Sequence, residues 1–290
     1  MRPTVWGWLV IGASALLLSA LALYLLRPES APPVEPVVVA PAVPEYPRHA
    51  VIGKSVEGRT IDSYTYGTGA KHLALIGGIH GGLEWNSVML SYQLMDYLKA
   101  NPAAVPASLS VTIIPNMNPD GVRKVIPVEG RFAVKDVPAG ALDAGRFNAR
   151  GVDLNRNFNC RWTATSTWKG VTHSAGTAPF SEPEAEAIRT FVASTSPTAV
   201  VFFHSKAGAV YASECGKGVL PQTIDIMNVY ARAAGYLAIK TFDAYVTNGD
   251  SEGWLASIGI PAVTVELTTH DVVEFNKNLA GVLAVLQYYK

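Results

Sequence analysis

At 290 residues, with 49% hydrophobic residues and 16% charged, the chain holds enough apolar material for one sizeable domain or two small ones. Its 23 basic and 23 acidic residues cancel, leaving no basic excess to grip a phosphate backbone. Nucleic acid is therefore excluded from the expected partners.

Val5 to Leu26 is a run of 22 residues without a charge, long enough as a helix to cross a hydrocarbon core of ~30 Å. A cleaved signal peptide carries a shorter apolar region, about 7–15 residues. Ser19-Ala20-Leu21-Ala22 nevertheless offers small residues for cleavage. The run is apolar on every face and precedes a linker, which argues against a buried core helix. Residues 1–26 are expected to form a cytoplasmic start and a transmembrane anchor, with a cleaved signal peptide as the alternative. Residues 27–47 hold seven of the 19 prolines, and proline removes donors and fixes φ. This segment is read as a semi-rigid spacer, up to ~65 Å long at about 3.1 Å per residue. Residues 48–290 are expected to be one domain outside the cytoplasm, anchored to the membrane, or secreted if the first segment is cleaved.

Within that domain, residues 52–61 lead into Asp62 to Tyr66, which alternates like a half-buried strand. Leu73 to Ile76 is a short apolar run, the pattern of a buried central strand, and Gly77-Gly78 ends it. A helical pattern begins near Glu84 and runs toward Leu98. Leu109 to Pro115 reads as a strand broken by its proline and by the turn cluster Asn116-Met117-Asn118-Pro119-Asp120-Gly121. A long irregular region extends to about Phe180, and loops of that length in a compact domain tend to be functional. Ser181 is read as the N-cap of a helix continuing to about Val192, with Pro183 and two acids in its first turn. Thr198 to Phe203 is a second very apolar strand. Helices from about Gln222 to Ala234, around Glu252 to Ser257 and from about Val272 to Tyr289 surround a strand from Ala262 to Glu266. Alternating helices and apolar strands predict an α/β fold: a mixed, mostly parallel central sheet with helices on both faces. Cys160 and Cys215 are the only two cysteines. In an exported domain such a pair is read as a disulfide, the alternative being two independent buried thiols.

Three strands end in a chemically capable residue: His80 after the first, His204 after the second, Glu266 at the third. Strand ends of an open α/β sheet are where ligands bind. Two histidines and a carboxylate suit a three-ligand catalytic zinc site with an open position, and a further carboxylate could serve as general base.

Taken in order, these pieces resemble the zinc metallocarboxypeptidases of the carboxypeptidase A/B type, from about Val51 to the end of the chain. The matching elements are Gly53-Lys54-Ser55-Val56-Glu57-Gly58-Arg59, the His80/Glu84 pair, Pro115-Asn116-Met117-Asn118-Pro119-Asp120-Gly121 and Gly151-Val152-Asp153-Leu154-Asn155-Arg156-Asn157-Phe158. Phe180-Ser181-Glu182-Pro183-Glu184, His204-Ser205 and Thr264-Val265-Glu266-Leu267 complete the set. The resemblance implies one zinc ion held by His80, Glu84 and His204. Glu266 would be the general base and acid, taking a proton from the attacking water and delivering it to the leaving amine. Asn155 and Arg156 would grip the substrate's terminal carboxylate, a task suited to a planar guanidinium. Arg146 is the leading candidate for the oxyanion-stabilising arginine, with Arg150 and Arg131 as alternatives. Tyr245, nine residues before Trp254, resembles the tyrosine of the family's mobile loop that covers bound substrate. Glu252 resembles the position at the base of the specificity pocket, where an acid accompanies preference for basic C-terminal residues and could receive the amino group of diaminopimelate. Its alternative is a helix-start acid beside Asp250 and Ser251, favoured by the dipole.

One departure stands out. The family usually spaces its first two ligands His-x-x-Glu, whereas Glu84 lies four residues after His80 and position 83 is Leu. Gly81 and Gly82 tolerate unusual backbone angles, so a turn bulged by one residue is expected, against the alternative of a damaged site. The function implied is a membrane-tethered zinc carboxypeptidase acting on a peptide or a peptidoglycan stem. Two readings compete: a zinc-dependent amide deacylase of the aspartoacylase and desuccinylase type, and a zinc-less pseudoenzyme that binds peptide or wall.

Overall fold

Four strands whose side chains are apolar on both faces set the architecture. In the computed structural model, which describes Tyr24, residues 47–243, Tyr245 and residues 247–290, these are β3 (Lys71–Ile76), β4 (Leu109–Ile114), β7 (Ala199–Ser205) and β10 (Ala262–Leu267). They pair in parallel in the order β4-β3-β7-β10. Parallel strands need cover on both faces, which their near-continuous apolar sequences supply. Antiparallel strands extend both edges. On one side lie β2 (Thr60–Gly67) and then β1 (Arg48–Lys54); on the other, β8 (Ala209–Ala212) is followed by β9 (Leu237–Ile239), itself parallel to β8. The sheet is mixed with a parallel centre, as the sequence predicts. The strands β1, β8 and β9 are not legible in the sequence: β1 is largely exposed, and β8 and β9 are runs of only four and three residues.

The two faces bury different helices. Leu73 and Leu75, Val201 and Phe203, Val263 and Val265 face one cluster with α1 (Trp85–Ala100), α4 (Pro221–Ala234) and α6 (Phe275–Tyr289). Ala74 and Ile76, Val200 and Phe202, and Ala262 face the other, with Ile188 and Phe191 of α3 (Pro183–Thr195) and Trp254 and Leu255 of α5 (Ser251–Ser257). The period of two along each strand fixes which face every later residue takes. His204 and Glu266 therefore continue the second face, and they are direct register partners across β7 and β10.

Three local expectations are corrected. The Asn116–Gly121 cluster opens a short helix, α2 (Pro119–Val125), because Asn118 accepts from the Gly121 amide and Pro119 occupies the first turn. Glu182, not Ser181, is the N-cap of α3, and it makes no side-chain cap bond. The Ser181 hydroxyl instead bonds to the Asn157 amide and the Thr177 backbone N–H. The last helix starts at Phe275, three residues after the expected Val272. The long region before Phe180 is irregular apart from short 3₁₀ turns and a two-stranded ribbon, β5 (Thr165–Trp168) with β6 (Val171–Ser174). The predicted anchor, apart from Tyr24, and the spacer up to residue 46 lie outside the described residues. Among the described residues no helix is long and apolar enough to cross a membrane.

Cys160 and Cys215 are joined in a disulfide across 55 residues, tying the loop after Asn155-Arg156 to the segment after β8. Closing a loop of that length constrains the unfolded chain, a contribution of roughly 2–4 kcal/mol. Non-reducing peptide mapping should recover the Cys160–Cys215 linked pair, and the double serine variant should lose about that much unfolding free energy in a denaturant titration. Two free thiols, or unchanged stability, would contradict the bond.

Candidate metal centre

Glycines bring the first two acids and bases together. After β3 the backbone turns at Gly78, with φ +71°, and at Gly81, with φ +47°. Residues Gly81–Glu84 then form one 3₁₀ turn leading into α1. A Cβ on Gly81 would lie 2.5 Å from the Gly145 carbonyl oxygen, and one on Gly82 would lie 2.2 Å from Val125 Cγ2. Only glycine fits at either place, and the tight turn absorbs the extra residue between His80 and Glu84. Glu84 Oε1 ends 2.7 Å from His80 Nδ1, and Leu83 is buried away.

From β7, His204 presents Nδ1 3.1 Å from Glu84 Oε2. The two imidazole rings lie 4.9 Å apart, nearly edge to face at 66°. The candidate ligand atoms of His80, Glu84 and His204 all fall within 4.8 Å of one another, and all three residues are buried. The donor set suits zinc, which accepts imidazole nitrogen and carboxylate oxygen at about 2 Å. A further sign of fit is that Glu84 Oε2 is buried without a hydrogen-bond partner despite its nearness to His204. Buried polar atoms left unpaired are rare and call for an explanation.

The far nitrogens of both rings face carboxylates. His80 Nε2 is 3.4 Å from Asp153 Oδ1, and His204 Nε2 is 3.1 Å from Glu252 Oε1. The sequence points to Asp153 only as a member of the Asp-Leu-Asn-Arg stretch. That motif is the available signal, since Asp153 caps its own 3₁₀ turn by accepting from the Asn155 amide and also holds Arg146 Nε at 2.9 Å. Burial disfavours ionised Asp153, but Arg146 and His80 outweigh it and hold the carboxyl well below its usual range. Burial likewise opposes ionised Glu84, and the two histidines outweigh it in turn. Glu252 is brought down to about 2, the His204 contact overcoming its burial.

Glu266 behaves in the opposite way. Burial pushes its carboxyl up to about 8, with His204 working against the rise and Glu84 and Glu252 adding to it. Its Oε2 has no hydrogen-bond partner. A carboxyl poised near neutrality beside a metal-ligand set is the environment expected of a general base.

A cleft of about 480 Å³ opens over these groups and is lined by His80, His204 and Glu266, with Asn155, Arg156 and Tyr245 on its walls. Asn155 is fixed because its Oδ1 accepts from the amide and hydroxyl of Ser251 at 2.8 and 3.0 Å. The Arg156 guanidinium, almost wholly buried, sits 5.8 Å from the centre of the Tyr245 ring. Tyr245 itself is 52% exposed and stacks edge-on against Phe242.

Arg146 is buried against Asp153 with its guanidinium over Trp168, and it is not among the residues lining the cleft. Arg150 and Arg131 are exposed, paired with Glu182 and Asp96, and do not line the cleft either. Glu252 does line the cleft, and both of its carboxylate oxygens have polar neighbours, the Ser251 hydroxyl being shared between Oε2 and Asn155. Oε1 also accepts from Thr264 Oγ1 at 2.9 Å, and Oε2 lies 2.9 Å from Ser251 Oγ. The start of α5 is capped by Asp250, whose Oδ2 accepts from the Gly253 amide at 2.7 Å.

Comparison with known proteins agrees with this geometry. The zinc carboxypeptidase family profile matches residues 39–275. The chain is 25% identical over 241 residues to gamma-D-glutamyl-L-diamino acid endopeptidase 1 of Lysinibacillus sphaericus, covering 74% of this chain and 59% of that protein. It is 29% identical over 142 residues to murein peptide amidase A of Escherichia coli K12, covering 44% of this chain and 54% of that one. The matches thus span little more than half the length of these relatives. Among solved structures, murein-tripeptide amidase from Escherichia coli O157 superposes with a TM-score of 0.61 at 22% identity, covering 83% of this chain and 92% of the other.

Two outcomes are expected at this site. Metal analysis of the purified domain should find one zinc per chain, lost on His204→Ala; stoichiometric zinc in that variant would refute the ligand set. Gly82→Ala should force Val125 or the turn to move, costing roughly 1–3 kcal/mol and weakening zinc binding, as read by chelator competition.

Proposed function

The chain belongs to the zinc carboxypeptidase family, and from that premise we propose that it is a zinc-dependent peptidase hydrolysing the bond before a residue with a free carboxylate, on a peptide or a peptidoglycan stem. The observation that carries this reading is a single cleft lined by His80 and His204 of the His80, Glu84 and His204 set, by the poised Glu266 and by the Asn155-Arg156 pair. When bound, the zinc ion would supply Lewis acidity, polarising the scissile carbonyl and making water a better nucleophile at neutral pH.

The chain's own groups do the rest. Arg156 and Asn155 bind the terminal carboxylate of the substrate, which sets the register of the scissile bond. Tyr245, exposed beside Arg156, closes over the bound residue and excludes water. Glu266 Oε2, with no partner in the resting site, takes the proton of the attacking water and passes it to the departing amine. Arg146, buried against the Asp153 that backs His80, is preferred over the exposed Arg150 and Arg131 as the positive charge for the developing oxyanion, although it does not line the resting cleft.

The wall-peptide substrate is supported by the names of two relatives, one an endopeptidase at a diamino acid and the other a murein peptide amidase. An anchor at residues 5–26 followed by a proline-rich spacer would hold the catalytic domain outside the cytoplasm, within reach of such a substrate. An amide deacylase is the reading to be separated from this one, and a library of free peptides, muropeptides and N-acyl amino acids does so. Release of a C-terminal residue from peptides or muropeptides is expected; turnover of N-acyl amino acids alone would favour the deacylase.

Glu266→Gln should retain zinc while lowering kcat by about 10²–10⁴-fold, and a variant keeping a tenth of wild-type kcat would remove Glu266 from the mechanism. The sign of the pH dependence follows from its raised pKa. The base must be ionised, so activity is lost as pH falls through the Glu266 pKa, giving an acid limb in kcat/KM below about 8. A bound dication would shift that limb downward. A profile of the zinc-loaded enzyme with no acid limb anywhere between about pH 8 and 4 would contradict the assignment.

A further inference from the structure

The residue expected at the floor of the specificity pocket has its chemistry committed elsewhere. Glu252 is 3% exposed, and its carboxylate meets three neighbours: His204 Nε2 at 3.1 Å and Thr264 Oγ1 at 2.9 Å on Oε1, and Ser251 Oγ at 2.9 Å beside Oε2. These contacts come from three elements: β7, β10 and the first residue of α5. Oε1 already meets two donors, and the carboxylate as a whole is too buried to meet the ammonium or guanidinium of a substrate without moving.

We propose that Glu252 is a positioning residue for the ligand His204, and that the cleft does not use it to read a basic substrate side chain. This rests on the metal-site reading given above. The physical grounds are tautomer and orientation. An ionised carboxylate can only accept hydrogen bonds, so the contact with Glu252 places a proton on His204 Nε2. That leaves the Nδ1 lone pair directed toward Glu84, where a metal would sit. A carboxylate on the outer nitrogen of a ligand histidine also fixes the ring and raises its basicity. His80 has the same relation to Asp153, at the longer distance of 3.4 Å. The two histidines are thus each backed by an acid from a different segment, Asp153 capping its 3₁₀ turn and Glu252 in the first turn of α5.

The contact also reaches the substrate side of the cleft. Ser251 Oγ lies 2.9 Å from Glu252 Oε2 and 3.0 Å from Asn155 Oδ1. His204, Glu252, Ser251 and Asn155 therefore form one connected run from the metal ligand to the carboxylate-binding amide. Withdrawing Glu252 to meet a substrate cation would disturb both ends of that run.

The experiment compares wild type with Glu252→Gln and Glu252→Ala in the same domain, measuring zinc affinity by chelator competition and kcat/KM at saturating zinc on peptides ending in Lys, Arg, Leu or Phe. The Gln side chain keeps the shape and an acceptor but loses the charge. Zinc affinity is expected to fall about 3–10-fold in the Gln variant and about 10–100-fold in the Ala variant. The ratio of kcat/KM for basic over apolar substrates should stay within about twofold of wild type. In the ¹⁵N spectrum of the zinc-loaded protein, His204 should carry its proton on Nε2, with that preference weakened in Ala. Zinc affinity within about twofold of wild type in the Gln variant overturns the proposal, and so does a roughly tenfold selective loss on Lys and Arg substrates. The Gln variant is nearly isosteric, so its zinc affinity decides the matter even if Ala fails to fold. A wild-type domain that binds no zinc would instead refute the metal-site reading itself.

Discussion

Everything at the carboxyl ends of the central strands depends on keeping several buried carboxylates close together. Glu84, Asp153, Glu252 and Glu266 are all gathered about His80 and His204. An unpaired buried charge is far more costly than a paired one. Three of the acids meet that demand locally. Glu84 lies against both histidines, Asp153 against Arg146 and His80, and Glu252 against His204, Thr264 and Ser251. Glu266 has no such partner, and its carboxyl alone among the four is pushed up to about 8. The same crowding thus leaves three acids ionised and one readily protonated. A dication in the centre would ease the repulsion that the protein's own cations leave.

That arrangement is set by the sheet. Val200, Phe202 and His204 share one face of β7, as Ala262, Thr264 and Glu266 share one face of β10. The register of the two strands makes His204 and Glu266 neighbours. A slip of one residue would send both to the opposite face, among the leucines of α1 and Tyr230 of α4. The apolar residues earlier in each strand therefore secure the chemistry at its end, because they fix which face is which.

Much of this was legible in the sequence, and for physical reasons. The four central strands are apolar runs bounded by turns, and their ends carry the unusual polar residues. The matched segment Gly53 to Arg59 was also legible, but its work is structural. Ser55 Oγ and Arg59 Nη1 bond to Asp120 Oδ1 at 2.6 and 2.8 Å, and the Val56 amide reaches Glu184. It clamps α2 and α3 in place behind the site. Residues such as Glu252 were not legible in this way. Sequence position could place it near the pocket or at a helix start. Only the three-dimensional meeting of α5 with β7 and β10 shows which groups take its oxygens. Asp153 was similarly hidden inside a motif whose neighbours have the more obvious chemistry. The strands β1, β8 and β9 are silent in the sequence because β1 is a largely exposed edge and β8 and β9, at four and three residues, are too short for a period to show.

Asn155 is where the metal ligands and the substrate side of the cleft become one mechanical unit. Its backbone amide donates to Asp153, which backs His80, while its side-chain oxygen accepts from Ser251, which touches Glu252 behind His204. Both ligand histidines are thereby referred to the same residue that would hold the substrate carboxylate. The loop bearing Asn155 is in turn stitched to the one bearing Ser251, since Phe158 N–H donates to Gly249 O and Gly249 N–H to Cys160 O at 2.9 and 2.6 Å. Gly249 is required at that crossing, because a Cβ there would lie 2.2 Å from the Arg156 carbonyl oxygen. The disulfide from Cys160 anchors the far end of the same stitch. For hydrolysis this matters because a misplacement of about 1 Å between bound substrate and catalytic groups can cost roughly a hundredfold in rate. A site whose ligands and substrate grip hang from one residue moves as a body, and preserves that distance when the surrounding loops fluctuate.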